Sequence, residues 1–140
     1  MFSKKFDQDF VNKLLKQKED KSLDFKLKIT SKEKIAKTIS ALANTDGGII
    51  LIGTTDQRKI VGIDPEEEKY MISAANEEFC IPKASISLQE VKINEGEADT
   101  EELSVLIVEV HPSQGPTIYV RHKNGISKAY RRENDRTLSF

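Results

Sequence analysis

Apolar and polar positions along this chain follow two periods, and the changes from one to the other mark its elements. Phe6, Phe10, Val11, Leu14 and Leu15 recur at helical spacing, which predicts an amphipathic helix over about residues 4–18 with its lysines outward. Leu23 to Lys28 then alternates strictly, predicting a half-buried strand with Leu23, Phe25 and Leu27 toward the core and Asp24, Lys26 and Lys28 on the other face. Thr30 and Ser31 open a second helix. Thr30 and Glu33 have the spacing of a capping box, and Ile35, Ile39, Leu42 and Ala43 supply its buried face. Asn44-Thr45-Asp46-Gly47-Gly48 ends it.

Ile49 to Gly53 is apolar without alternation, which predicts a central strand covered on both faces. Asp56-Gln57-Arg58-Lys59 turns the chain, and Ile60 to Ile63 reads as a short partner strand. Asp64-Pro65-Glu66 carries an N-cap, a proline at the first helical position and a first-turn acid, so a third helix runs to about Phe79. Two longer strands follow, Ile86–Ile93 and Leu103–Val110, joined by an acidic loop from Asn94 to Glu102. Ile118–Arg121 and Lys128–Arg131 form a hairpin around Lys123-Asn124-Gly125, because Asn-Gly suits the tight hairpin turns. The expected fold is a mixed α/β or α+β domain with about three helices and antiparallel hairpins in the second half.

Composition refines this picture. A chain of 140 residues has room for one domain, and 37% apolar with 32% charged residues suits a modest core under a well-solvated surface. The longest apolar run, Ile49 to Ile52, is far too short to span a bilayer, so no membrane role is expected. The lone cysteine, Cys80, lies in the apolar phrase Phe79-Cys80-Ile81-Pro82 and reads as a buried small hydrophobe; the absence of paired cysteines agrees with the cytoplasm. The chain ends at Ser139-Phe140 without a stop signal, which is compatible with a domain of a longer protein.

Net charge is only −1, but it is unevenly spread. Residues 1–38 hold 11 lysines against six acids, residues 39–118 five bases against 15 acids, and residues 119–140 six bases against two acids. Two basic ends flank an acidic middle, an arrangement that can place a basic face on one side of the fold. Lys26, Lys28, Arg121, Lys123, Lys128, Arg131 and Arg132 are the candidates to neutralise phosphates, with Arg136 near them. Tyr119 and Tyr130 suit either packing or stacking on bases. Neither His111 nor His122 has a partner at metal-ligand spacing, and Gly47-Gly48 lacks the lysine of a nucleotide phosphate loop.

The most distinctive stretch runs from Lys37 to Gly62. It contains Ala41-Leu42-Ala43-Asn44-Thr45-Asp46-Gly47-Gly48, the strand ending in Gly53, then Asp56 and Ile60-Val61-Gly62. Architecture alone accounts for much of it, with Asn44 as a cap and Gly47, Gly48, Gly53 and Gly62 at backbone turns. With Asp24-Phe25-Lys26 ahead of it, the run resembles the Schlafen/AlbA-like domain, over roughly residues 14–132. That resemblance implies a nucleic-acid-binding domain, for DNA or RNA, of the kind found in bacterial transcriptional regulators. Some Schlafen relatives instead cleave RNA with three carboxylates around Mg²⁺ or Mn²⁺. Carried over, those acids fall on Glu19, Asp24 and Asp56, with Asp24 in place of the family's glutamate. The same three have plain structural readings: Glu19 solvated, Asp24 outward on its strand, Asp56 opening a turn. Three functions therefore stand open: nucleic-acid binding without a cofactor, a metal-dependent ribonuclease, and a protein-interaction or homo-oligomerisation module.

Overall fold

The structure, a computed structural model, describes residues 6–94 and 102–140. Asp7 caps the first helix, α1 (Gln8–Leu15), accepting from Phe10 N at 2.9 Å, and Val11 and Leu14 give it a buried side. Strand β1 (Leu23–Lys26) leads into α2 (Lys32–Ala43) and then β2 (Gly48–Ile52). Asp64 accepts from Glu66 N and Glu67 N at the start of α3 (Pro65–Phe79), the cap that its sequence predicts. The remaining chain is strand: β3 (Cys80–Ile81), β4 (Ile86–Asn94), β5 (Glu102–Val110), β6 (Tyr119–Arg121), β7 (Ser127–Glu133) and β8 (Arg136–Ser139). Most of the acidic loop expected between Asn94 and Glu102 lies outside the described residues.

These strands form two sheets, in a mixed α+β arrangement. The first has the order β1-β2-β5-β4, with β1 parallel to β2 and the other pairs antiparallel; the second is antiparallel, in the order β3-β6-β7-β8. Parallel β1 and β2 need a crossover, which α2 supplies. The first sheet is covered on both faces. Leu51, Val105 and Ile107 pack against Val11 and Leu14 of α1, while Ile50, Ile52, Leu106 and Val108 join α2, α3 and the inner face of the second sheet. Double coverage explains why β2 carries no alternation: Ile50, Leu51 and Ile52 are all fully buried.

Glycine is required where α2 passes into β2. Gly47 has φ +75° and donates to Leu42 O at 2.8 Å, closing the end of α2. At Gly48 a Cβ would lie 2.4 Å from Ser22 O, so only glycine lets β2 start this close to the chain entering β1.

Several expectations are corrected. Leu27 is 52% exposed because β1 ends at Lys26. Ser31 rather than Thr30 caps α2, accepting from Lys34 N, and Glu33 turns away from the helix start toward His122. The partner strand at Ile60–Ile63 shrinks to one bridge between Thr54 and Ile60. Strand β8, not expected, follows a tight turn at Asn134-Asp135 with Asn134 at φ +55°. Among the described residues no helix is long and apolar enough to cross a membrane.

Candidate nucleic-acid interface

Helix α2 brings Ser31, Lys34, Ile35 and Thr38 onto one side, at spacings of three and four residues. That side faces the chain leaving β1. Between them lies a cleft of about 140 Å³ lined by Lys26, Lys28, Ile29, Thr30, Ser31, Lys34, Ile35 and Thr38. Its far wall is fixed by α3, because the buried Glu68 accepts from Ile29 N at 2.9 Å. Lys26 reaches Asp24 at 3.2 Å and Lys28 reaches Glu67 at 3.8 Å, whereas exposed Lys34 makes no ion pair among the described residues. The partial positive charge of the α2 N-terminus adds to the three ammonium groups.

Beside the cleft, β1 is tied to the second sheet by a buried ion pair. Arg132 Nη1 lies 3.1 Å from Asp24 Oδ1, and the two side chains are 2% and 6% exposed. The same guanidinium donates to Asp20 O at 2.8 Å and Leu23 O at 3.2 Å. Asp24 Oδ2 accepts no well-aligned hydrogen bond; Lys26 balances it by charge. Asp24 therefore does not face outward. Alternation assigns it to solvent only when one face of the strand is covered, and here the second sheet covers the other face as well. Arg132 is likewise removed from the surface set of phosphate-binding candidates, since its fork is spent inside the fold.

The Asn44-Thr45 pair proves to be a clamp. Asn44 Nδ2 donates to Ile118 O and Tyr130 O, each at 2.9 Å, and its Oδ1 accepts from Ile118 N at 2.8 Å. Thr45 Oγ1 donates to Ala41 O and accepts from Arg132 N at 2.9 Å. The two residues that follow α2 thus engage the backbone of Ile118, just before β6, and of Tyr130 and Arg132 in β7. The beginning of α2 holds the β6–β7 hairpin: His122 Nδ1 is 2.6 Å from Glu33 Oε2, and His122 Nε2 is 2.7 Å from the Tyr130 hydroxyl. A neutral ring satisfies both contacts by donating to Glu33 and accepting from Tyr130. The hydrogen bond to His122 holds the Glu33 carboxyl below its ordinary value, and burial, then the Glu33 charge, push the Tyr130 phenol up. Lys37 Nζ stands 5.3 Å from the centre of the Tyr130 ring, and Lys128 lies on the same face of β7 as Tyr130.

The structure separates the residues singled out by sequence. Lys26 and Lys28 meet at the cleft, and Lys128 sits on the α2 side of β7. Lys123 is at the hairpin tip, where its N–H donates to Glu33. Arg121 and Arg131 point from the opposite, outer face of the second sheet. Lys34 and Thr38 carry no motif in the sequence; their spacing of four on α2 is the one local signal that sets them on the same side. The Glu33–His122–Tyr130 chain carried no signal in spacing. Of the three acids, Glu19 Oε2 accepts from Phe25 N at 2.8 Å, Asp24 is held by Arg132, and Asp56 is exposed on the loop after β2. Among the described residues no three His, Cys, Asp or Glu side chains form a group that could hold a metal ion.

Comparison with known proteins agrees with this architecture. No curated protein matches the chain. Among solved structures, the DIP2311 protein from Corynebacterium diphtheriae is similar in fold, with a TM-score of 0.55 at 16% identity. The likeness covers 86% of this chain, which spans only 22% of that protein. The profile of the family described as Schlafen, AlbA_2 matches residues 19–139, from the acid that meets β1 through β8. The chain belongs to the Schlafen AlbA_2 family.

Proposed function

We propose that this chain binds nucleic acid, DNA or RNA, and takes backbone phosphates at the cleft between β1 and α2. The observation that carries the reading is the convergence of Lys26, Lys28 and Lys34 on the N-terminal end of α2. Lys37 and Lys128 extend the positive charge along α2 and β7. Family membership supports the same class of partner. The chain binds without cutting and without a cofactor, in keeping with a regulatory role in the cytoplasm.

Anisotropy titrations with tRNA, single-stranded DNA and duplex DNA test this. Binding at about 50 mM salt should weaken steeply by about 200 mM, with a log–log slope set by the phosphates neutralised. Lys34→Glu should lower affinity and flatten that slope by about one or more, while EDTA leaves both unchanged. No binding to any of the three at about 50 mM salt overturns the reading.

A further inference from the structure

The second sheet turns its other face to solvent, and that face is built differently from the lysine cleft. Val120, Tyr130 and Arg132 point inward and are buried, so Tyr119, Arg121 and Arg131 point outward by the alternation of β6 and β7. Register places Ile81 opposite Tyr119, and Tyr119 opposite Ala129. Phe140 N donates to Ala129 O at 3.0 Å, which brings the Phe140 ring to the same region, with the Arg131 guanidinium 5.9 Å from its centre. Tyr119 is 45% exposed and Phe140 61%. Register sets Arg136 opposite Glu133 at the far edge, and Arg131 Nη2 lies 3.7 Å from Glu133 Oε2 in an exposed ion pair that a phosphate can displace. Glu133 is the one acid on these outward positions of β6, β7 and β8, against Arg121, Arg131 and Arg136.

We infer that this outer face is a stacking platform for single-stranded nucleic acid, with bases on Tyr119 and Phe140 and phosphates on Arg121 and Arg131. The inference rests on the nucleic-acid reading above, but on a different surface from the cleft. Two features select the occupant. Exposed rings set among guanidinium groups ask for a flat apolar partner that also carries negative charge, and a single strand offers both in every nucleotide. A duplex hides its base faces inside the stack, so its contacts here are limited to phosphate. Tyr119 and Tyr130, equivalent by sequence, are thereby divided: Tyr130 packs and Tyr119 receives.

The test uses the 140-residue chain and a fluorescein-labelled oligothymidylate, with a duplex of equal length beside it. Tyr119→Ala should weaken single-strand binding about five-fold to a hundred-fold and leave duplex binding unchanged; Tyr119→Phe should restore it. Circular dichroism checks that this exposed substitution leaves the fold intact. With no tryptophan and three tyrosines in the chain, quenching of tyrosine emission by the oligonucleotide, lost in Tyr119→Ala, reports the stack directly. If Tyr119→Ala and the pair Arg121→Ala with Arg131→Ala both bind the single strand like the parent, the platform is wrong while the nucleic-acid reading stands. If no nucleic acid binds the parent chain, both fall. If Tyr119→Ala instead converts a dimer to a monomer in sedimentation without altering affinity, the face is a self-association surface and the platform is overturned.

Discussion

Arg132 of β7 and Asp24 of β1 stand 108 residues apart in sequence and 3.1 Å apart in space. The guanidinium also satisfies two carbonyls of the chain entering β1, so one side chain fastens the second sheet to the edge of the first.

Breaking that pair should be costly. Arg132→Met or Asp24→Ala leaves the partner charged and buried, a loss of about 3–5 kcal/mol, a large share of the roughly 5–15 kcal/mol that holds a domain together. Urea denaturation measures it. The double variant should lose less than the sum of the singles, because no lone charge remains.

Asn44 makes a different demand. Asn44→Ala leaves Ile118 N–H and Tyr130 O without their side-chain partner, and Ile118 O then has only Ser40 Oγ. A loss of about 2–4 kcal/mol is expected, at about 1–3 kcal/mol for each buried group left unmade. Asn44→Asp keeps the acceptor but turns the donor into an oxygen aimed at two carbonyls, and should be no better. Thermal unfolding of both variants checks this.

Acid should loosen the β6–β7 hairpin. The hydrogen bond from His122 lowers the Glu33 carboxyl from its ordinary 4.5, so its contribution is fully present above that value. It is lost as pH falls through the lower, folded-state value. The difference in melting temperature between the parent and Glu33→Gln should therefore shrink below pH 4.5, in a titration from about pH 7 to about pH 3. A difference that grows on acidification contradicts this.

The Cys80 thiol should be silent until the chain unfolds. Burial pushes it up to about 12, and its Sγ faces Ala36 O on α2. At about pH 8 the thiolate that attacks a disulfide reagent is almost absent. Ellman's reagent should not react with the folded protein, and should titrate one thiol in about 6 M guanidinium.

Elements with strong local signals were legible in the sequence. The unbroken apolar run at β2, the Asp64-Pro65 start of α3 and the Asn-Gly hairpin each rest on physics within a few residues. What escaped depends on distant partners. The pattern at Leu23–Lys28 states that one face of β1 is apolar, but only the position of β7, a hundred residues later, decides that the other face is also covered. Ser31 takes the cap that Thr30–Glu33 spacing suggested because Glu33 has a stronger partner in His122. The basic residues were countable from the start; their division between a cleft and the outer face of a sheet required the fold.

Glu19 bears on how these molecules treat one another. It lies at the free edge of β1, where an unpaired N–H is an invitation to any extended strand in solution. Its carboxylate already occupies the N–H of Phe25, and Asp20 N closes on Leu23 O at 3.2 Å. A second chain seeking to extend the sheet would meet a negative charge where it needs to place a carbonyl. In a protein read as a binder of long polyanions, which crowd many copies onto one strand, such a guard keeps neighbours from fusing edge to edge.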